Sequence, residues 1–419
     1  LEMHLINHPV DCPICDQAGE CGLQDQYMEY GLYDSQVGKG DKVNKAKAQV
    51  IGPHVILDKE RCVLCSRCVR FCDEVTGTGE LGIFNRGDRA EIGTAPGVEL
   101  DNAYSMNTVD ICPVGALTGR DFRFQKRVWM LKASDGVCPG CATGCNVRID
   151  HEAGKIYRLK PRYNPDVNGR WMCDMGRMTY KDVHDEKRLT DPVVDDAKLP
   201  WADATAAVAE LLGGKAPALA VVSPHQGFEE MWLARELAVS ACGGLRDADR
   251  GEGDDILLDA DRTPNRGGLK LLGLAEDDGV ALAARIIAAD GVVLILGGDP
   301  AADDTVAAAL KDHGRAIYVG THANATSGAA KIVLPGAAWA EKAGIFVNRQ
   351  GRLQTYRQAV ARAGNAREDW RILAEMKAAA GGEAPGSLKA VRKAVAESLF
   401  PGNDLDNLPV RGFVPGGES

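Results

Sequence analysis

Cys62-Val63-Leu64-Cys65-Ser66-Arg67-Cys68, followed by Cys72 and much later by Cys112-Pro113, is the stretch on which the reading of this chain turns. Thiols at such tight C-x2-C gaps point to metal ligation where no secretory signal pattern opens the sequence. Spread cysteines in an exported chain would point to disulfides. Of the 13 cysteines in 419 residues, only Cys242 lies beyond residue 173, so the chemistry is concentrated in the first 175 residues.

C-x2-C-x2-C-x3-C is half of a two-cluster bacterial ferredoxin, in which the fourth cysteine ligates the other cluster. The partner half ends in Cys-Pro, and Cys112-Pro113 supplies that ending. Counting back from Cys112 by four, seven and ten places meets Thr108, Ser105 and Asn102, none of them a thiol. The second half is therefore read as degenerate, keeping only the cysteine it lends to the first. This predicts one [4Fe–4S] cluster on Cys62, Cys65, Cys68 and Cys112, with Cys72 left as a small buried hydrophobe.

Upstream, His8-Pro9-Val10-Asp11-Cys12-Pro13-Ile14-Cys15 continues to Cys21, with Gly19 and Gly22 letting the backbone wrap closely. His8, Cys12, Cys15 and Cys21 suit a four-coordinate centre. Cys3His is also a structural zinc set, and His4 is a rival to His8. A neutral imidazole in place of a thiolate removes negative charge and raises a cluster's potential. Downstream, Cys138-Pro139-Gly140-Cys141-Ala142-Thr143-Gly144-Cys145 is closed by Cys173, giving four thiolates for a further [4Fe–4S] cluster. Residues 146–150 and 155–160 alternate like a hairpin across 151–154, which would return Cys173 to its partners. Zinc ribbons also set cysteine pairs around hairpins, so zinc stays open here too.

The order of these groups, with the phrases His8 to Asp16, Arg86-Gly87-Asp88-Arg89 and Asp110-Ile111-Cys112-Pro113-Val114-Gly115-Ala116-Leu117-Thr118, resembles the large iron–sulfur subunit of respiratory complex I. This is the G subunit of bacterial NADH–quinone oxidoreductase, related to the mitochondrial 75 kDa subunit. The resemblance is most specific over residues 1–180 and weaker to about residue 360. It implies three [4Fe–4S] clusters: His8/Cys12/Cys15/Cys21, Cys62/Cys65/Cys68/Cys112 and Cys138/Cys141/Cys145/Cys173. It implies an electron relay from flavin toward quinone, with flavin/NADH-binding and quinone-side iron–sulfur subunits as partners. The implied location is the peripheral arm, on the cytoplasmic face of the inner membrane. Family members open with a plant-type [2Fe–2S] module of about a hundred residues. This sequence is read as starting just after it, and a [2Fe–2S] cluster is expected only with that module.

After Asp191-Pro192 the composition turns Ala- and Gly-rich. Strand candidates at 219–223, 292–296, 317–320 and 332–334 alternate with helix candidates at 228–241 and 305–311. That is a doubly wound α/β signature with a mostly parallel sheet. Gly297-Gly298-Asp299-Pro300 follows a strand directly, where such sheets place ligands, although a tight turn explains it as well. With the third cysteine group, this region resembles the molybdopterin oxidoreductases, and Glu341 to Arg352 matches a stretch they use near the cofactor. Catalytic members carry Lys two places after the fourth cluster cysteine, where Met175 stands here. Cys242 is placed at a helix end and not in a metal-ligand loop. The domain is read as a structural descendant that binds no molybdopterin.

The expected fold class is thus α/β and α+β multidomain, ferredoxin-like iron–sulfur segments followed by a degenerate molybdopterin-oxidoreductase-like domain. The expected divisions are 1–50, 51–130, 131–190, 191–380 and 381–419. The last holds a helix at 387–399 and a Gly/Pro-rich tail from 409 that is mobile or docks on a partner. A net charge of −10 without a basic block argues against nucleic acid. The longest apolar run, 279–298, is broken by Arg285 and Asp290 and reads as helix then strand. The rival function is a catalytic subunit of an NAD-linked formate dehydrogenase or a related hydrogenase. Such chains keep both ferredoxin halves, against which Asn102, Ser105 and Thr108 stand. A zinc-binding scaffold is the third reading.

Overall fold

A computed structural model describes residues 1–416; the end of the predicted tail, 417–419, lies outside the described residues. The chain forms two compact units interleaved in sequence. One comprises Leu1–Ala133, Ile149–Pro161 and Arg170–Met178, the other Ser134–Arg148, Arg162–Gly169 and Thr179–Ser419.

In the first unit the metal-ligand segments are loops held by small sheets. Gln49–Val50, Val55–Leu57 and Leu117–Gly119 form an antiparallel sheet, with Val55 opposite Gly119 and Leu57 opposite Leu117. That pairing brings the chain just after Cys112 back beside the chain just before Cys62. Leu81–Phe84 pairs with Glu91–Thr94. The helix Arg67–Glu74 turns Cys68, Phe71 and Cys72 inward, at the i, i+3, i+4 spacing of one helical face. The predicted hairpin is present as strands Asn146–Glu152 and Lys155–Pro161, of which the part from Ile149 onward belongs to this unit. Its turn uses Ala153 and Gly154 at positive φ, as a two-residue hairpin requires.

The second unit is built on a seven-stranded sheet. In spatial order its strands are Ala197–Lys198, Val193–Val194, Ile332–Pro335, Ala316–Gly320, Val293–Leu296, Leu219–Val222 and Ser240–Gly243. The last five run parallel, and Val193–Val194 joins the edge antiparallel. Parallel strands covered on both faces read as unbroken apolar runs, and Val293-Leu294-Ile295-Leu296 is fully buried throughout. The pleat sends alternate residues to opposite faces. Ala220, Val222, Leu294, Leu296, Ile317 and Val319 join one core with helices Trp201–Leu212, Phe228–Leu237, Asp369–Ala379 and Leu388–Leu399. Leu219, Val221, Val293, Ile295 and Tyr318 join the other with helices Gly279–Ala288 and Asp304–His313. This is the predicted doubly wound fold. Asp278, Asp303 and Ser387 accept the first backbone N–H groups of their helices, so those starts follow from side-chain chemistry.

Two local expectations are corrected. The helix expected over 228–241 stops at Leu237, because the Val239 and Ser240 N–H groups bond to the carbonyls of Pro217 and Ala218 and start an edge strand. Cys242 therefore sits inside that strand and not at a helix end, paired with Val221 and buried in the core. The tail is docked on its own chain at least as far as Phe413, which exchanges both backbone hydrogen bonds with Leu353 (2.7 and 2.9 Å). Among the described residues, no helix is long and apolar enough to cross a membrane.

Candidate metal centres

The first centre is a cleft lined by His8, Cys12, Cys15 and Cys21 together, with Val10, Asp11, Leu23, Tyr27 and Gly115. Its loop is shaped by a one-turn helix, Cys12–Ile14, with Pro13 inside it. Val10 is forced to φ 51° just ahead of it, a costly conformation for a β-branched residue. Arg127 clamps the loop by donating to the carbonyls of Cys15 (2.7 Å) and Pro13. Burial holds His8 below its usual pKa, so the imidazole is neutral, the form that ligates a metal. Its Nδ1 is buried without a hydrogen-bond partner. An orphaned imidazole nitrogen lining a cleft with three thiols fits a resident metal centre. His4 does not line that cleft. Gly115 does, and a Cβ there would collide with Cys15 Sγ.

The second centre is a cavity lined by Cys62, Cys65, Cys68 and Cys112. Its other walls include Leu57, Val63, Ile92, Pro113, Val114 and Leu117, so the surroundings are apolar. Leu64 and Ser66 both adopt positive φ, 55° and 56°, bending the backbone around the sulfurs at a cost of about 1–3 kcal/mol each. The bend lets Leu64 N–H donate to Cys62 Sγ (3.4 Å). Burial, then the neighbouring thiols, pushes Cys68 up to about 12, and burial pushes Cys112 up to about 11. Thiols so disfavoured as bare thiolates gain most from a metal that carries positive charge. Cys72 is fully buried and does not line this cavity; burial and Glu80 push it up to about 12. Hence this structure separates Cys72 from the four.

The third group is divided by the unit boundary. In the second unit Cys138, Cys141 and Cys145 are all buried on one loop, closed where Cys138 N–H donates to Cys145 O (2.8 Å). Gly140 N–H donates to Cys138 Sγ (3.4 Å). Gly144 takes φ 66° against Gln354 and Asn348, which leave no room for a side chain. Asn348 and Gln354 donate to the carbonyls of Thr143 (3.2 Å) and Gly144 (3.0 Å). The hairpin Gly344–Val347/Leu353–Tyr356, read from sequence as a cofactor-side element, thus cradles a cysteine loop. Cys173 belongs to the first unit, where Gly176 N–H donates to its sulfur (3.3 Å). No disulfide joins any of the described cysteines. No three His, Cys, Asp or Glu among the described residues are grouped as around a single ion.

Sequence reasoning missed the residues that hold these loops: Arg61, Arg127, Gly115, Asn348 and Gln354. Arg61 and Gly115 were visible as neighbours of ligand cysteines, but only the fold shows that Gly115 lines the first centre and that Arg61 bonds to its loop at Asp11 and Ile14.

The class that these centres and this sheet define is a [4Fe–4S]-type iron–sulfur protein carrying a molybdopterin-oxidoreductase-type α/β domain. Family models match in the same order. They are the NADH-ubiquinone oxidoreductase-G iron-sulfur binding region over residues 1–36, the NADH-quinone oxidoreductase subunit 3 ferredoxin-like domain over 52–118, the NuoG-like 4Fe-4S domain over 136–181, and molybdopterin oxidoreductase over 256–379. The chain is 43% identical over 198 residues to the G subunit of NADH-quinone oxidoreductase from Streptomyces coelicolor, covering 47% of this chain and 23% of that protein. It is 41% identical over 218 residues to the mitochondrial NADH dehydrogenase [ubiquinone] iron-sulfur protein 1 of Solanum tuberosum, covering 51% and 29%. Subunit 3 of the Thermus thermophilus NADH-quinone oxidoreductase is 37% identical over 256 residues, covering 57% and 32%. The iron–sulfur portion of the chain is therefore similar to the large iron–sulfur subunit, the G subunit, of NADH–quinone oxidoreductase. The matches span less than a third of the length of these relatives.

Proposed function

We propose that the chain relays electrons within a proton-pumping NADH–quinone oxidoreductase, through three [4Fe–4S] clusters and without a substrate site of its own. The observation that carries this reading is that each of two separate cavities is lined by the four donors expected for one cluster, His8 included. Cys138, Cys141, Cys145 and Cys173 are proposed as the third set, a spur from the relay with a mainly structural role. When bound, the clusters supply one-electron outer-sphere transfer. The chain's own residues hold them, exclude water with apolar walls, and direct backbone N–H groups at the sulfurs of Cys62, Cys138 and Cys173. Such bonds stabilise the more negative reduced state.

The five sequence divisions are proposed as functional segments, three of cluster ligands, one of scaffold and one of closing helix and tail. The α/β domain is proposed to bind no molybdopterin, which rests on Met175 in place of a lysine. Flavin/NADH-binding and quinone-side iron–sulfur subunits are the proposed partners, on the cytoplasmic face of the inner membrane. The test is metal and sulfide analysis of the anaerobically purified protein. About twelve irons per chain follow from three four-iron sites. Stoichiometric molybdenum would favour the catalytic formate dehydrogenase or hydrogenase reading, and stoichiometric zinc the scaffold.

A further inference from the structure

Arg61 precedes the ligand Cys62 in sequence, yet its side chain reaches the ligand loop of the first centre at Asp11 and Ile14. It is buried at 4% exposure, and its Nε and Nη2 donate to both oxygens of Asp11 (3.0 and 2.7 Å), the residue before Cys12. Nη2 also reaches the carbonyl of Ile14 (3.4 Å), and Asp58 lies 3.5 Å from Nη1. Lys47 completes the network at 3.5 Å from Asp11 and 3.6 Å from Asp58. A Cβ at Gly115 would touch both Cys15 Sγ and, at 3.7 Å, Arg61 Cδ, so guanidinium stem and ligand sulfur flank the same glycine.

We propose that Arg61 is a positioning residue that joins the ligand loops of the first two centres and sets the potential of the His8/Cys12/Cys15/Cys21 centre. This rests on the cluster assignment above. The physical argument has two parts. A bidentate guanidinium–carboxylate pair fixes orientation as well as distance, so the Asp11 and Arg61 backbones, and with them Cys12 and Cys62, move as one body. The guanidinium is also a charge that does not titrate, held where water screens it little. Reduction adds an electron to the cluster; a nearby buried cation stabilises that state and raises the potential, and Asp11 opposes it. The two charges therefore act as an opposed pair on one centre.

The test is an EPR-monitored redox titration of the full protein, parent against Arg61→Gln, Arg61→Lys, Asp11→Asn and the Arg61→Gln/Asp11→Asn double variant. Arg61→Gln is expected to move the first centre's midpoint down and Asp11→Asn to move it up. The double variant should fall between them, and Arg61→Lys should stay near the parent. A residue that merely held the loop would give losses of signal, or shifts of one sign. Should Arg61→Gln fail to assemble the centre, Asp11→Asn and Arg61→Lys still decide. Retained signals with unmoved midpoints in both Asp11→Asn and Arg61→Gln, or a downward shift in Asp11→Asn, would overturn the role of Arg61. A parent without that centre's signal would overturn the cluster assignment itself.

Discussion

Ser105 Oγ donates a 2.6 Å hydrogen bond to Asp174 Oδ2, with both side chains buried. Ser105 stands where an intact second ferredoxin half would carry a cysteine, and Asp174 is the residue after Cys173. The other two positions at that spacing are also occupied by hydrogen-bonded polar side chains. Thr108 donates to Ser105 O (2.7 Å), and Asn102 accepts from Tyr104 N–H (2.9 Å) and donates to Glu80. Polar side chains that satisfy local backbone and carboxylate groups stand at the three positions where an intact second half would carry cysteines.

Ser105→Ala should leave Asp174 short of a partner in a buried site. Burial already holds the Asp174 carboxyl above its ordinary value, and the Ser105 bond opposes that rise. Removing the bond is expected to cost about 1–3 kcal/mol, read as a lowered midpoint in thermal or denaturant unfolding. Unchanged stability would mean this bond bears no structural role.

Gly115→Ala should disturb the first centre alone. Its Cβ would collide with Cys15 Sγ and lie 3.2 Å from Gln17 Cβ, while Gly115 does not line the second cavity. Iron should fall from about twelve toward about eight per chain, with the second centre's spectrum retained. Equal loss from both centres would contradict the separation of the two cavities.

Lys342 sits in the second unit's core between Glu230 (2.8 Å) and Asp369 (2.7 Å), one cation facing two carboxylates. Burial raises Glu230 to about 7 despite Lys342. A folded-state pKa above the ordinary 4.5 means that the native protein keeps a proton the unfolded chain releases. This contribution to stability is therefore full below pH 4.5 and is lost as the pH rises toward 7. Glu230→Gln should flatten the stability profile across that window, where the parent's slope is at most about 1.4 kcal/mol per pH unit. Parallel profiles for parent and variant would sink this assignment.

The parts legible in the sequence were those with a strict period or spacing. The apolar runs at 292–296 and 317–320 read as strands of a mostly parallel sheet, and they form the parallel strands Val293–Leu296 and Ala316–Gly320. Cysteine arithmetic singled out Cys72 before any fold was known. The strand at Ser240–Gly243 was missed because its short run continues a helical pattern. What ends the helix is a pair of distant carbonyls, at Pro217 and Ala218, which no local pattern reports. Arg61 was passed over for the same reason. Its partner Asp11 is fifty positions away along the chain.

The most direct measurement of the central claim is Mössbauer and EPR spectroscopy of Cys72→Ser beside Cys112→Ser, with iron counted in each. Cys72 is buried away from the second cavity, whereas Cys112 lines it. Cys72→Ser should keep all of the parent's iron, about twelve per chain, and all of its signals. Cys112→Ser should lose the second centre and about four irons. Equal losses in the two variants, or loss in Cys72→Ser alone, would contradict a half-ferredoxin that borrows its fourth ligand from Cys112.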